Sequence, residues 1–221
     1  MTYEIWVLAH ILIIAYWLGT DLAVYYISGT IVDENQPTPV RIYAAKAMLL
    51  LDMVPRTALI MTLLTGLVLA TARWLPQPAI GWWWLWPALV AWLVLTWSVF
   101  RLEHKPTGQR LARIDFGLRV VVVLALIAAG LGLVLGAGPF AKLPWLAAKL
   151  GLMALIISLG LFIRVQLKPF GPLFAQIAQG TSDPTIERKL RRLITQVKVP
   201  VWVIWISLVL AAALGKLQPG F

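Results

Sequence analysis

Uncharged apolar runs of about twenty residues recur along this chain, and a run of that length is what a helix needs to cross the hydrocarbon core of a bilayer. Six such runs can be read, at residues 5–28, 47–71, 82–100, 116–136, 145–163 and 199–215. The composition agrees. Of the 221 residues, 61% are hydrophobic and 13% charged, against roughly 45–50% and 25% in soluble domains. The apolar residues come in blocks rather than in alternation, which argues against a transmembrane barrel. The expected fold class is an all-α integral membrane protein, a six-transmembrane-helix bundle forming a single domain over residues 1–221.

Short loops with proline and glycine separate the runs: Pro37 and Pro39, Pro76 and Pro78, Pro106 and Gly108, Pro139 and Pro144. The run at 5–28 lacks a basic leader and is long and aromatic, so it reads as a span rather than a cleaved signal peptide. The net charge of +10 has the size of a nucleic-acid signal, but the charges sit between the spans. Topology and attraction to anionic lipid account for them, so the expected partner is the lipid bilayer and no nucleic acid. Of the nineteen Lys and Arg, only Arg73, Lys142, Lys149 and Lys216 fall on one side; the other fifteen fall on the opposite side. The positive-inside rule makes that richer side cytoplasmic, which places both termini outside the inner membrane of a bacterium. The basic stretch from Arg188 to Arg192 is expected on the inner membrane surface. Trp6, Trp74, Trp82, Trp83, Trp84, Trp86 and Trp145 gather at the outer ends and read as an aromatic belt.

A shift of 63 residues aligns the chain with itself without a gap. Asp52 and Arg56 fall on Asp115 and Arg119, Pro76 on Pro139, and Trp82 on Trp145. Arg101, Lys105, Pro106 and Gly108 fall on Arg164, Lys168, Pro169 and Gly171. The second and third spans therefore read as one copy of a tandem two-helix repeat, and the fourth and fifth as the other.

Ionisable groups inside a bilayer are costly, so each is a candidate for function. His10 lies about two turns into the first span, and Lys149 one turn into the fifth from the same side. At matching depth they are expected to line one outward-facing cavity. A neutral histidine there can ligate haem iron or relay protons, and a lysine can hold a carboxylate. The competing expectation is that His10 bonds a neighbouring carbonyl while Lys149 snorkels to the interface. Asp21 lies about three turns beyond His10, on a face shared with Trp17 and Tyr25, and needs a proton or a partner such as Arg56 or Arg119. Asp52 with Arg56, and Asp115 with Arg119, have the i,i+4 spacing of helix ion pairs. Pro55 is expected to kink or restart the second helix. His104, between Glu103 and Lys105, reads as a solvated residue at the cytoplasmic end of the third span.

No cysteine is present, so disulfides and thiolate chemistry are excluded, and two histidines cannot build a histidine metal cage. The methionines at 48, 53, 61 and 153 are too scattered for a copper ladder. There is no P-loop, dinucleotide-binding, serine-elbow or HExxH motif.

Three segments carry a family resemblance. The first span reads Trp6-Val-Leu-Ala-His10 with Trp17 and Gly19 downstream, and the fifth begins Trp145-Leu-Ala-Ala-Lys149-Leu. The last span follows Arg188-Lys-Leu-Arg-Arg192 and Val199-Pro200, and ends at Lys216. The chain thereby resembles the HemJ-type protoporphyrinogen oxidases and the wider CopD-like membrane proteins. The resemblance implies haem b, with His10 as an axial ligand to the metal and Lys149 as the functional lysine. It covers about a third of the chain. HemJ-type chains have four spans and a Pro-Arg pair after the first; here that stretch reads Asp21-Leu-Ala-Val-Tyr25-Tyr26, and a helix pair is added.

The leading expectation is a membrane-embedded haem-b redox protein, an oxidoreductase if a substrate binds. His10 holds the iron, Lys149 holds a propionate or substrate carboxylate, and Trp6, Trp17 and Tyr25 line the pocket. A small hydrophobic or tetrapyrrole substrate and a homo-oligomer both fit that expectation. A transporter of a small solute or metal ion, and a non-catalytic assembly protein, remain as alternatives.

Overall fold

A computed structural model describes residues 2–75, 85–103, 105–136 and 143–218. Among them every regular element is helical: α1 (Thr2–Ile31), α2 (Thr38–Leu51), α3 (Met53–Arg73), α4 (Leu85–Arg101), α5 (Pro106–Leu135), α6 (Pro144–Gln166), α7 (Phe170–Ala178) and α8 (Pro184–Leu217). The helices start where the local chemistry favours a start. Pro occupies the first turn of α2, α5, α6 and α8, where its missing N–H has no intrahelical role. Asp183 caps α8 by accepting from Thr185 N at 2.7 Å and Ile186 N at 2.8 Å. α5 stops at Gly136, which takes the left-handed conformation at φ 64°. At the turn from α4 to α5, a Cβ on Gly108 would stand 1.9 Å from the Leu102 carbonyl oxygen, so only glycine fits.

Five candidate spans are long and apolar enough to cross a membrane: α1, the continuous stretch of α2 and α3, α5, α6 and α8. The chain is a multi-pass helical protein by that measure. α4, at 17 residues, is shorter; the residues that precede it, 76–84, lie outside the described ones, and with them Pro76, Pro78 and Trp82 to Trp84. The second span is broken: α2 ends at Leu51, Asp52 forms a turn, and α3 restarts with Pro55 in its first turn. α7 is a short amphipathic helix, buried through Phe170 and Ile177, that the apolar runs did not announce.

α1 packs on α3, α3 on α4, α4 on α5, α5 on α6, α6 on α8, and α8 returns to α1. Trp17, Trp92 and Trp205 fill the interior with Leu59, Met153 and Ile157, so the centre is a packed core. Outward faces are apolar too, as Ile11 and Tyr16 on α1 and Leu124 and Leu131 on α5 show. Such continuous exposed apolar faces suit lipid and not water.

One end is tied by charge. Arg41 is buried, donates from Nε to the Ile31 carbonyl at 2.8 Å, and holds Glu187 of α8 through both guanidinium ends at 3.0 and 2.7 Å. Arg191 reaches the Val32 carbonyl at 3.3 Å and Glu34 at 2.9 Å. Both cations sit at the negative end of α1, where its last carbonyls lack intrahelical partners.

Candidate functional site

His10 is buried on α1 and meets Thr65 of α3, Nδ1 to Oγ1 at 2.7 Å. The Thr65 hydroxyl also lies 2.8 Å from the Met61 carbonyl; when it donates there, its oxygen accepts from His10. In that arrangement Nδ1 carries the proton and Nε2 keeps a lone pair. Nε2 is buried and has no hydrogen-bond partner. The arrangement is that of a histidine oriented for a metal: one ring nitrogen fixed by a second group, the other free to coordinate. Gly66 follows Thr65, and a Cβ there would come within 3.4 Å of His10 Cε1.

Lys149 of α6 lies near enough for its charge to act on His10. Its ammonium packs on Gly215 of α8, where a Cβ would stand 2.8 Å from Nζ. Among the described residues no carboxylate pairs with Lys149. Trp145, one turn earlier, is buried against Trp74 at 5.0 Å with its Nε1 unpartnered. Trp145 therefore belongs to the interior, unlike the belt position expected of it. Four helices meet here: α1, α3, α6 and α8.

The aromatic residues expected around His10 are spread along α1. Trp6 is one turn outward and touches Trp86 edge-on at 5.9 Å. Trp17 is buried in the central core, about 10 Å further along the helix by rise. Tyr25 lies about 22 Å from His10 by the same measure. It packs on Trp202 and Trp205 at 6.1 and 5.4 Å, with the Lys198 ammonium 5.0 Å from its ring centre.

The ion pairs divide sharply. Asp115 is fully buried and accepts from Arg119 Nε at 3.0 Å, Arg164 Nη1 at 2.6 Å and Trp92 Nε1 at 3.0 Å, with Thr96 Oγ1 at 3.5 Å. It joins α4, α5 and α6. Among the described residues Asp52 pairs only with Arg56, and both side chains are about a third exposed. Arg101, which the 63-residue offset matches to Arg164, is exposed. Asp21 is bonded by neither Arg56 nor Arg119; the charge that acts on it is Asp52, and the indoles of Trp17 and Trp205 flank it. His104 lies outside the described residues.

If a haem were held here, the unpartnered Nε2 of His10 is the nitrogen that would bind its iron, and the Lys149 ammonium would be the cation offered to a carboxylate. No second histidine stands opposite among the described residues, and no cluster of three or more His, Cys, Asp or Glu forms there to hold a bare metal ion. Sequence reasoning missed Thr65: a hydroxyl in an apolar helix commonly bonds its own backbone, and Thr65 does that as well. No family model, curated protein or solved structure matches this chain.

Proposed function

We propose that this chain is a six-span membrane bundle that binds haem b through His10 and works as a redox protein of the HemJ-like type. The supporting observation is the buried, unpartnered Nε2 of His10, on a ring whose other nitrogen is held by Thr65. A haem bound there supplies one-electron chemistry tuned by axial ligation and burial. The chain's own residues do the rest. Thr65 holds the imidazole in its ligating tautomer, Lys149 neutralises a propionate or a substrate carboxylate, and the core of Trp17, Trp92 and Trp205 keeps water out of the interior. The fifteen Lys and Arg opposite the His10 end support an orientation with that end periplasmic and the Asp115 end cytoplasmic. We read α3–α4 and α5–α6 as tandem copies, on the eight identities at one offset.

The test is the absorption spectrum of the detergent-purified protein, oxidised and dithionite-reduced, for wild type and His10→Ala. The expected result is a Soret band with reduced b-type bands, lost in the variant. A colourless wild type made with ample haem precursor overturns the proposal and favours transport. A coloured His10→Ala protein overturns the ligand assignment.

A further inference from the structure

At the arginine-rich end of the bundle, one buried carboxylate is shared by two cations. Asp115 of α5 is fully buried and has four donors on its two oxygens. Trp92 Nε1 at 3.0 Å and Thr96 Oγ1 at 3.5 Å, both from α4, reach Oδ1. Arg119 Nε at 3.0 Å and Arg164 Nη1 at 2.6 Å reach Oδ2, so the two guanidiniums meet on one oxygen atom. A carboxylate offers about four lone-pair directions, and here they are filled.

The two arginines hold more positive charge than Asp115 balances. Arg119 is 8% exposed, and its Nη2 is buried without an acceptor. The Trp92 ring, 5.5 Å from Arg119 Cζ, offers the cation a π face but no oxygen. Arg164 spends one nitrogen on Asp115 and is a quarter exposed, between the exposed side chains of Phe162 and Val165. It stands in the last turn of α6, where the helix carbonyls ease its charge. Arg119 has no such relief, because it lies in the middle of α5. Among the described residues no second carboxylate pairs with either arginine: Asp52 is held by Arg56, Glu187 by Arg41 and Glu34 by Arg191.

A buried cation without a counter-charge is costly, and an unmade hydrogen bond adds to the cost. A water molecule would satisfy Nη2 and leave the charge as it is; an anion answers both. Two guanidiniums gathered on one carboxylate suit an oxyanion with several acceptor oxygens, and a phosphate group matches the arginine fork by geometry. We propose that Arg119 and Arg164 form a binding site for one phosphate group, with Asp115 positioning both cations, Arg164 as the open side and Arg119 Nη2 as the inner donor. The group is borne either by a soluble phosphate or by the headgroup of an anionic phospholipid, whose acyl chains would lie on the exposed Phe162 and Val165 beside Arg164. The site is separate from His10 and stands whether or not haem binds.

Thermal unfolding of the delipidated full chain in a non-ionic detergent, at constant ionic strength, tests this for wild type, Arg119→Met, Arg164→Gln and Arg101→Gln. Inorganic phosphate is titrated against chloride in one arm, and phosphatidylglycerol against diacylglycerol with the same chains in the other. The expected result is a saturable rise of the wild-type midpoint. A response to inorganic phosphate shows that the free group suffices, and a response to phosphatidylglycerol alone assigns the lipid headgroup. The apparent affinity should weaken about tenfold or more in Arg119→Met and in Arg164→Gln, since each loses a charge-assisted hydrogen bond. It should hold in Arg101→Gln, which removes the exposed arginine that the 63-residue offset matches to Arg164. No rise in either arm overturns the proposal, and so does an equal loss in Arg101→Gln or an unchanged affinity in Arg119→Met. If Arg119→Met does not fold, Arg164→Gln decides, since it keeps the buried pair of Asp115 with Arg119: an unchanged affinity there overturns the site.

Discussion

Asp115 and Asp52 occupy equivalent places in the 63-residue offset, yet their removal should have very different consequences. Asp115→Ala strips the counter-charge from two guanidiniums at once and leaves Trp92 Nε1 without its acceptor. Arg164 is a quarter exposed and can swing toward the interface, but Arg119 is 8% exposed and already has one buried nitrogen unpartnered. Breaking a buried pair by removing one partner costs about 3–5 kcal/mol, because a charge is left uncompensated. Asp52→Ala breaks a single i,i+4 pair whose members are about a third exposed, and such pairs contribute about 0.3–0.5 kcal/mol. Reversible unfolding by SDS in mixed micelles, followed by tryptophan fluorescence, measures both. Adding Arg119→Met to Asp115→Ala should recover part of the loss, since an apolar replacement removes the stranded charge. Equal destabilisation by the two aspartate variants, or a loss under about 1 kcal/mol for Asp115→Ala, would refute the burial argument.

Three further outcomes are expected. Thr65→Val leaves His10 Nδ1–H buried without an acceptor and should weaken retention of a ligated group about 10–100-fold, read by competitive haem transfer; an unchanged affinity would detach Thr65 from the site. Gly215→Ala puts a Cβ on the flexible end of Lys149, so thermal stability should hold while the response to carboxylate-bearing porphyrins, titrated by absorbance, weakens. Asp183 donates no proton to its cap but accepts from Ile186 and Thr185, which holds its carboxyl below the usual carboxylate range. Its stabilising effect is therefore complete above the ordinary carboxylate pKa and fades as pH falls through the lowered value. Asp183→Ala should accordingly lower the unfolding midpoint at neutral pH and make no difference in strong acid.

Five of the helices were legible because each carries an apolar stretch long enough to declare a span by itself, while α7 and the first half of α8, being amphipathic or charged, were not. The break at Asp52 was legible too, through Pro55. At the site, the shared depth of His10 and Lys149 followed from counting residues along spans of the same direction. What the sequence withheld are contacts between distant helices. Arg164 is at the end of an apolar run and gives no sign that it bonds Asp115, 49 residues earlier. Trp145 has the spacing of a belt tryptophan and becomes interior because it packs with Ala70, Leu133 and Trp74 of neighbouring helices. Asp21 had two arginines to choose from, and packing gave it neither.

The tie between Arg41 and Glu187 spans 146 residues of chain, and it sets an order for biosynthesis. Arg41 is made early, with α1 and α2, but half of its hydrogen-bond partners belong to the last helix. Until α8 is synthesised, that guanidinium has only the end of α1 to bond, and it must wait at the membrane surface, where water can serve it. The first and last helices are neighbours, so the flank of α1 that faces α8 stays uncovered until translation is nearly complete. A chain that stalls before α8 would present Arg41 without Glu187 beside an uncovered flank of α1, a signature that membrane quality control could read.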